Sequence, residues 1–499
     1  MPELNSLKKK TISGLFWSFL DLIANQGLQF IIQIILARLL IPKDFGVIGM
    51  ISIFIALSAT LIDSGFSQAL IRNKEAKEED YSTVFNFNLV ISIMLYIILY
   101  LSADSISIYF NEPRLISILR ILSLVIIINS FSIVQRVILT KDIDFKTQAN
   151  INVISSVISG TVAIICAYNG LGVWSLVIRI LTMQLMQAVL LWFKNKWKPK
   201  LIFDAGSFKN MFGFGWKLLA SGVINTVYTN LYYIIIGKIF AASELGYYTN
   251  AQKLNDAVSQ TITMSVQRVS YPVLSKLQDD KDRLKQAYRK IIKTVVFINF
   301  PLMLGLAAVA KPLIIVLFGY KWSGSVIYFQ FLCFAGMMFP LHAINLDILQ
   351  VKGRSDLFLR LEILKKAVFT VLIIAAIISK SGIMGLIGAL VLNSYISYFL
   401  NSYYSAELID YSTKHQLVDI LPAFIVSIIM GIVVYASNVF MPNIDIIKLI
   451  FETLLGLITY IVISKVINAE GLHEIYKLLS PLIVKLKKIK ADRKYKKNK

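Results

Sequence analysis

The chain has 499 residues, of which 57% are hydrophobic and 16% are charged, and its mean hydropathy is +0.68. A soluble protein would carry about 25% charged residues, so this composition excludes a soluble fold and indicates a polytopic membrane protein. The formal net charge of +22 comes mostly from Lys and Arg in predicted loops on one side of the membrane, and it requires no nucleic-acid partner.

Apolar runs of about 20 residues, the length that crosses a bilayer as a helix, recur about fourteen times along the chain. The sequence therefore predicts an all-α integral membrane protein. The boundary between the eleventh and twelfth runs is left open. The runs are centred near 14–37, 45–69, 83–102, 115–135, 148–168, 173–193, 212–236, 246–270, 291–310, 325–347, 363–379, 383–404, 420–439 and 446–466.

The placement of positive charge predicts the orientation in the membrane. Most Lys and Arg residues fall in the two tails and in alternate loops, and such residues are retained in the cytoplasm. Both termini are therefore expected to be cytoplasmic. No cleavable signal peptide is expected, because Lys8, Lys9 and Lys10 lead into an apolar segment of full spanning length. The basic C-terminal tail is expected to lie against anionic headgroups or to be disordered.

Two apolar stretches 200 residues apart carry the same polar pattern. Steps of four keep side chains on one side of a helix, and a polar stripe on an apolar helix faces protein or water rather than lipid. The pattern predicts two related lobes around a wet cavity, as in many transporters; the alternative is chance similarity between apolar helices. The stripes are Asp21, Asn25, Gln29 and Gln33 in the first stretch, and Ser221, Asn225, Thr229 and Tyr233 in the second.

Metal and nucleotide sites are not expected. The two cysteines, Cys166 and Cys333, fall in predicted spans, the three histidines are dispersed, and no phosphate-binding glycine loop is present. We therefore expect no metal and no cofactor. Transport would draw on an H⁺ or Na⁺ gradient, or on the flux of substrate, rather than on ATP bound by this chain.

Five cationic residues fall inside predicted spans, where a charge costs at least about 2.5–3.5 kcal/mol. Each therefore needs a cavity or a partner. Two of them lie near the predicted cytoplasmic mouth, where the alternative is that they reach the headgroups. For the other three the alternative is a structural ion pair, for example Lys253 with Asp256. The mouth residues are Lys217 and Arg268, and the others are Arg120, Arg179 and Lys253.

Four acidic or imidazole groups are candidates for ion coupling, because burial lets a group take up and release a proton. Asp63 and Asp347 have the alternative of being caps near the interface. His342 follows Pro340 in its predicted helix and has the alternative of being a satisfied interior residue. The four candidates are Asp21, Asp63, His342 and Asp347.

Several motifs spread along the chain resemble a known family. They are Lys-Lys-Thr-Ile-Ser-Gly-Leu-Phe-Trp-Ser (9–18), Leu-Leu-Ile-Pro-Lys-Asp-Phe-Gly (39–46), Asp-Ser-Gly-Phe-Ser-Gln-Ala-Leu-Ile (63–71), Ala-Ser-Glu-Leu-Gly-Tyr-Tyr (242–248) and Tyr-Pro-Val-Leu-Ser-Lys-Leu-Gln-Asp-Asp (271–280). Together they resemble the Wzx-like polysaccharide flippases, which include lipopolysaccharide and teichuronic-acid transporters, of the multidrug/oligosaccharidyl-lipid/polysaccharide exporter superfamily.

The resemblance implies two six-helix lobes around a central cavity lined chiefly by spans 1, 2, 7 and 8, with two further C-terminal helices. The expected boundaries are 1–200 and 201–415 for the lobes, 416–470 for the last two spans and 471–499 for the basic tail. It also implies a non-enzymatic protein of the bacterial cytoplasmic membrane, working as a monomer beside a polysaccharide polymerase. Its substrate would be undecaprenyl-pyrophosphate-linked oligosaccharide, moved from the cytoplasmic to the outer leaflet.

In that function the intramembrane cations would bind the diphosphate. Lys217 and Arg268 would capture it, and Lys253 with Arg179 would receive it later. The striped helices would hydrogen-bond the sugar. The alternatives are an ion-coupled exporter of drugs or another amphiphile, a peptidoglycan-precursor flippase, and a membrane polymerase or glycosyltransferase. The sugar, the coupling ion and the oligomeric state are left open by the sequence.

Overall fold

The computed structural model describes residues 17, 21, 24–442 and 444–472, and within them the chain is helical almost throughout, with no β-strand. The opening motif before residue 17 and the basic tail from residue 473 lie outside the described residues. The chain divides into two compact units between Asn250 and Ala251, inside one long helix. The lobe boundaries expected from the sequence stay a prediction.

The first unit is built from nine helices and the beginning of a tenth among its described residues. A first helix over 24–39 includes Asn25, Gln29 and Gln33 of the polar stripe, and residues 17 and 21 are also helical. The helices are α1 (24–39), α2 (Pro42–Asp63), α3 (Phe66–Arg72), α4 (Glu78–Phe110), α5 (Leu115–Leu122), α6 (Leu124–Lys141), α7 (Phe145–Tyr168), α8 (Val173–Lys194), α9 (Ala205–Ile239) and α10 (Ala242–Lys276).

The second unit continues from α10 through eight more helices in its described part, with short 3-10 turns at Tyr320–Trp322 and Asn438–Phe440. Helix α11 packs along α17, and α15 packs along α16. The helices are α11 (Lys281–Ala308), α12 (Ala310–Phe318), α13 (Ser325–Gly336), α14 (Phe339–Val351), α15 (Ser355–Ile378), α16 (Gly382–Ile409), α17 (Thr413–Ser437) and α18 (Asp445–Val466).

Eleven helical segments in the described residues are long and apolar enough to cross a membrane. Three further predicted spans coincide with the helices α1, α10 and α15. Helix α15 has three charged side chains, Glu362, Lys365 and Lys366, near its middle, and α10 is polar along its length. The count of fourteen spans is therefore not confirmed, although a helix lies at each predicted position.

Side-chain caps explain where several of the long helices begin. The first backbone N–H groups of a helix have no partner within it, and a carboxylate at the preceding position accepts from them. Asp144, Asp204 and Asp280 each accept from the N–H three residues on, at 3.0, 2.6 and 3.0 Å. These aspartates fix the starts of α7, α9 and α11.

Helices α2 and α10 begin against each other at two glycines. A Cβ atom added to Gly46 would lie 1.7 Å from the backbone oxygen of Ala242, and one added to Gly246 would lie 1.9 Å from that of Pro42. The contacts are reciprocal at the spacing of 200 residues found in the sequence. Two-fold related surfaces make contacts of this reciprocal kind, so the two turns are related by an approximate two-fold axis within the first unit.

An ion-pair cluster ties the first turn of α2 to the loop between α4 and α5. Arg114 contacts Glu112 at 2.8 Å and Asp44 at 3.5 Å, and Lys43 contacts Glu112 at 3.3 Å. Burial raises the pKa of the Glu112 carboxyl, but the hydrogen bonds and charges of Arg114 and Lys43 outweigh it and leave the pKa below its usual range. The stability that Glu112 contributes is thus present at neutral pH and is lost as pH falls through the lowered pKa.

An ion-pair cluster around Asp419 holds α17 against α11 in the second unit. Asp419, whose side chain is 7% exposed, contacts Arg289 at 2.5 Å and Lys293 at 3.1 Å and accepts a hydrogen bond from Tyr411 at 2.5 Å. Asp419→Asn is expected to lower the free energy of unfolding by about 2–4 kcal/mol, because two cations and a hydroxyl lose their common partner. Thermal unfolding in detergent measures this.

The matched control for that measurement is Asp410→Asn. Asp410 pairs with Lys281 at 2.6 Å, but both side chains are more than half exposed, and exposed pairs contribute little. Asp410 lies in the left-handed region with φ 51°, which asparagine also adopts readily. We expect unchanged unfolding for this variant; an equal loss in both variants would contradict a specific role of the Asp419 cluster.

Candidate functional site

Hydrogen bonds join the polar stripe of the first helix, directly or through one another, to helices α6, α7 and α8, and Gln33 of the stripe donates to Asn250 on α10 at 3.1 Å. Arg136 on α6 donates to Gln187 on α8 at 3.2 Å, Gln187 donates to Asn152 on α7 at 3.1 Å, and Asn152 donates to Asp21 at 3.1 Å. Each amide donates toward the carboxylate, so the dipoles of this chain align and strengthen one another. The chain links a guanidinium to a carboxylate through two amides.

A second hydrogen-bonded chain begins two helical turns along α8. Arg179 donates to Gln29, Gln29 donates to Ser156 on α7 at 3.1 Å, and Ser156 donates to Asn25 at 2.9 Å. This chain ends on a neutral amide, whereas the first ends on Asp21. Its positive charge therefore has no carboxylate at its far end.

Helical spacing explains why these side chains meet. The stripe residues step by four along the first helix, and Asn152 and Ser156 do the same along α7, so each set occupies one face. Arg179 and Gln187 are eight residues apart on α8, which places them about 12 Å apart along its axis. The two chains therefore run side by side across the unit.

The arrangement is suited to bind a phosphate-bearing group. A guanidinium has five N–H donors in a fixed fork, and the hydrogen bonds that Arg136 and Arg179 make are with glutamine oxygens. Among the described residues neither arginine forms an ion pair within 4.0 Å. Arg136 is exposed and Arg179 is half-buried. Two guanidinium groups against one carboxylate give the cluster a positive charge that an anion would balance.

The two hydrogen-bonded chains contain few groups of the kinds that bind metal ions. In the part of the chain that the structure describes, no group of three or more His, Cys, Asp or Glu residues is placed to hold a metal ion. Oxygen-rich cation sites use several carboxylates, whereas Asp21 is the one carboxylate in the two chains.

The second stripe lies on an accessible face of α9. Ser221, Asn225 and Thr229 are exposed, and Tyr233 is half-buried. That Ser221, Asn225 and Thr229 face Asn25 and Gln29 across a cavity stays a prediction. The described hydrogen bonds of Asp21, Asn25 and Gln29 run to α7 and α8.

Accessibility of this stripe to water can be measured by cysteine labelling. With Cys166 and Cys333 replaced by alanine, Asn225→Cys is expected to react with a water-soluble thiol reagent at least about tenfold faster than Ile31→Cys, since thiolates form in water. Ile31 is 55% exposed, yet it lies about 200° around the helix from Gln29 and is expected to face lipid. Equal labelling at 225 and 31 would contradict a water-filled cavity along α9.

The other intramembrane cations are on α5, α9 and α10, which are not the helices of the two hydrogen-bonded chains. Arg120 pairs with Asp104 at 2.8 Å and stacks over Tyr100 with 4.7 Å to the ring centre. This is a structural ion pair, the alternative to substrate binding that the sequence left open for this residue. Lys217 on α9, and Lys253 and Arg268 on α10, are exposed. Their roles in binding substrate stay predictions.

The remaining coupling candidates have different surroundings. Asp63 accepts from the backbone N–H of Ser67 at 3.2 Å, so it caps the short helix α3. Asp347 is 3% exposed and accepts from the hydroxyl of Ser270. One ring nitrogen of His342 lies 3.2 Å from the hydroxyl of Ser394. Proton or sodium coupling through any of them stays a prediction.

Four residues of the site were not singled out from the sequence. Arg136 lies one residue beyond the predicted end of the fourth span and therefore counted as a loop charge. Asn152 and Ser156, four apart in an apolar run, and Gln187, eight after Arg179, repeat the spacing of the stripe. That repeat was the signal that could have found them.

Comparison with known proteins identifies a family and two relatives that align with most of the chain. The sequence pattern of a family described as polysaccharide biosynthesis protein matches residues 35–327. The teichuronic acid biosynthesis protein TuaB of Bacillus subtilis (strain 168) is 24% identical over 87% of this chain and 90% of its own length. The lipopolysaccharide biosynthesis protein WzxC of Escherichia coli (strain K12) is 28% identical over 86% and 89%.

A solved structure shares the fold along almost the whole chain. The lipid II flippase MurJ, in an inward closed conformation, superposes with a TM-score of 0.74 over 94% of this chain and 99% of its own, at 16% sequence identity. At that identity the likeness shows the fold alone. Together with the apolar helices, it confirms the predicted class, an all-α integral membrane protein.

Proposed function

This chain belongs to the polysaccharide biosynthesis protein family, and on that premise we propose that it moves a lipid-linked oligosaccharide across a bacterial cytoplasmic membrane. Membership confirms the resemblance drawn from the sequence motifs. The two relatives are named for teichuronic acid and lipopolysaccharide biosynthesis, and the structural neighbour is named as a lipid II flippase. The chain is a transporter and carries out no chemical step on its substrate.

The observation that carries this proposal is the pair of arginines bound to neutral glutamines. An undecaprenyl-pyrophosphate anchor carries a diphosphate, and the two guanidinium forks, one on α6 and one on α8, offer charge-assisted hydrogen bonds to it. Arg136 lies toward the end of the unit that the sequence predicts to be cytoplasmic. After capture by Lys217 and Arg268, it would bind the diphosphate, and Arg179, whose hydrogen-bonded chain has no carboxylate, would bind it next, deeper in the membrane.

The sugar would be handled by amides and hydroxyls. Asn25 and Gln29 belong to the second hydrogen-bonded chain, and Ser221, Asn225 and Thr229 are exposed on α9. Groups of this kind exchange hydrogen bonds with a sugar as readily as with water. Substrate would move by alternating exposure of this face, as in transporters built from two related lobes.

The intramembrane cations outside the two hydrogen-bonded chains would also bind the diphosphate. Lys217 and Arg268 are exposed and would capture the diphosphate from the inner leaflet, and Lys253 would receive it with Arg179. Both termini would be cytoplasmic, and the protein would work as a monomer that supplies a polysaccharide polymerase.

Coupling to an ion is proposed at Asp21. This carboxylate ends the chain that begins at Arg136, so protonating it would leave Arg136 with more unbalanced charge and a stronger hold on an anion. H⁺ is therefore the favoured coupling ion, with Na⁺ as the alternative, and no cofactor takes part.

The test is a cell that lacks this protein and makes the corresponding polysaccharide. Undecaprenyl-pyrophosphate-linked oligosaccharide should accumulate while surface polysaccharide disappears, and the wild-type chain should restore export. Unchanged surface polysaccharide with loss of resistance to lipophilic drugs would contradict the proposal and favour a drug exporter.

A further inference from the structure

The connection between α8 and α9 is an extended segment, residues 195–204, with a regular pattern of exposure. From residue 195 to residue 200 every second residue is exposed, and the exposed ones are Lys196, Lys198 and Lys200, which follow the exposed Lys194 at the end of α8. The residues between them are half-buried against the unit. An extended chain places alternate side chains on opposite faces, so Lys196, Lys198 and Lys200 have neighbours about 6.6 Å apart. We call these three, with Lys194 before them at the end of α8, the lysine row.

The buried face of this segment is fixed by specific contacts. The ring of Trp197 packs edge-on against Tyr81 at 6.2 Å and Phe85 at 6.0 Å between centroids. Gln135 donates to the backbone oxygen of Trp197 at 3.2 Å, and Asn195 donates to Gln135 at 2.8 Å. Because these bonds hold the backbone, the lysine row is a preformed surface.

Further hydrogen bonds fix the second half of the segment. The backbone N–H of Lys200 donates to Ser82 at 3.1 Å, and Asn86 donates to the backbone oxygens of Lys200 and Ile202 at 2.9 and 3.0 Å. The segment therefore lies against α4 up to the start of α9. Because its backbone is already held, the segment loses little backbone conformational entropy when the lysines bind a ligand.

An apolar patch adjoins the lysine row. Leu201 is fully exposed, and Ile202 and Phe203 are 40% and 57% exposed, while Phe193 beside Lys194 is 83% exposed. Exposed aromatic and branched side chains beside lysines are typical of surfaces that lie in the membrane interface. The row and the patch together are an amphipathic surface.

The charge of the row is largely unbalanced. Lys200 pairs with Glu78 at 2.8 Å, whereas Lys194, Lys196 and Lys198 form no ion pair within 4.0 Å among the described residues. The sequence predicts this connection to be on the cytoplasmic side, where anionic lipids attract basic segments at about 1 kcal/mol per residue, which corresponds to about a fivefold change in affinity for each lysine.

We propose that residues 194–203 form a binding surface for anionic phospholipid headgroups of the cytoplasmic leaflet. The lysines bind the headgroup phosphates, and Leu201, Ile202 and Phe203 insert among the acyl chains. Bound lipid would hold the connection between α8 and α9 at the membrane surface. This inference is independent of which substrate the protein carries.

Native mass spectrometry of the purified full chain tests it. With phosphatidylglycerol and phosphatidylcholine offered in equal amounts, wild-type protein should retain phosphatidylglycerol in preference. The triple variant Lys194→Gln, Lys196→Gln, Lys198→Gln should lose this preference by about a hundredfold, as three lysines at about fivefold each imply. Equal retention of both lipids by the wild type would overturn the proposal.

A matched variant distinguishes lipid binding by the lysine row from the effect of overall surface charge. Lys74→Gln, Lys77→Gln and Lys209→Gln together remove the same charge from exposed lysines of the same unit, and the preference should stay within about twofold of the wild type. An equal loss in both triple variants would show that overall charge binds the lipid, and it would overturn the assignment to residues 194–203.

A second measurement needs no variant. Hydrogen–deuterium exchange of the wild type in phosphatidylglycerol nanodiscs should slow at residues 195–203 relative to phosphatidylcholine nanodiscs, with no change at 74–77. High salt should reverse the slowing, because it screens charges at a surface. The same exchange at 195–203 in both lipids would contradict lipid binding by this segment.

Discussion

Replacing Gly46 or Gly246 by alanine is expected to abolish export of polysaccharide and to lower the free energy of unfolding by about 2–4 kcal/mol. Each new methyl group would lie less than 2.0 Å from a backbone carbonyl oxygen, at Ala242 or Pro42. Backbone atoms cannot turn aside as a side chain can, so the starts of α2 and α10 must move apart. The measurements are surface polysaccharide in cells and thermal unfolding of the purified variants.

Gly213→Ala is the matched control for these variants. Gly213 is inside α9, and a Cβ there would meet no atom within 4 Å. Alanine is the better helix former by roughly 0.5–1 kcal/mol, so export should be normal and stability equal or higher. Normal export and stability in Gly46→Ala would show that the two helices do not need their close contact.

Arg179→Gln and Arg136→Gln are each expected to reduce export about ten- to hundredfold while the protein stays in the membrane. A hydrogen bond to a charged group is worth about 1.5–3 kcal/mol, and each arginine is proposed to donate more than one to the diphosphate. Arg179→Lys keeps the charge but loses the planar fork, so its export should fall between those of wild type and Arg179→Gln. Pulse labelling of surface polysaccharide gives the rates.

Arg354→Gln is the control for the arginine variants. Arg354 pairs with Asp356 at 2.9 Å, and both side chains are nearly half exposed, so its loss should leave export unchanged. A triple variant with Lys217→Gln, Arg268→Gln and Arg179→Gln should export nothing. Normal export from that triple variant would refute anion binding by the intramembrane cations.

The polar stripe was predictable from the sequence, but its partners were not. Steps of four from Asp21 to Gln33 placed the polar side chains on one face, as the structure has them. Their hydrogen-bond partners Asn152 and Ser156 are more than a hundred residues away, and single-sequence spacing cannot choose among several polar faces. The sequence pointed to a cavity, whereas the described hydrogen bonds of Asp21, Asn25 and Gln29 run to α7 and α8 and that of Gln33 runs to α10.

The close contact of α2 with α10 at Gly46 and Gly246 could not be predicted from a single sequence either. The spacing of 200 residues between Gly46 and Gly246 was visible in the sequence as a repeated turn. A repeat does not show whether its two copies touch, because that depends on how all the helices between them pack. Arg136 was overlooked for a simpler reason, since helix ends are uncertain by a few residues and it lies at the end of its predicted span.

The most direct measurement of the central claim is transport by the purified chain in liposomes. A fluorescent oligosaccharide on an undecaprenyl diphosphate should become accessible to an external reagent only when the protein is present. The same sugar on an uncharged polyprenol should not be moved, and Arg179→Gln should slow the diphosphate substrate about ten- to hundredfold. Equal movement of the charged and uncharged lipids, unaffected by Arg179→Gln, would contradict recognition of the diphosphate by the arginine cluster.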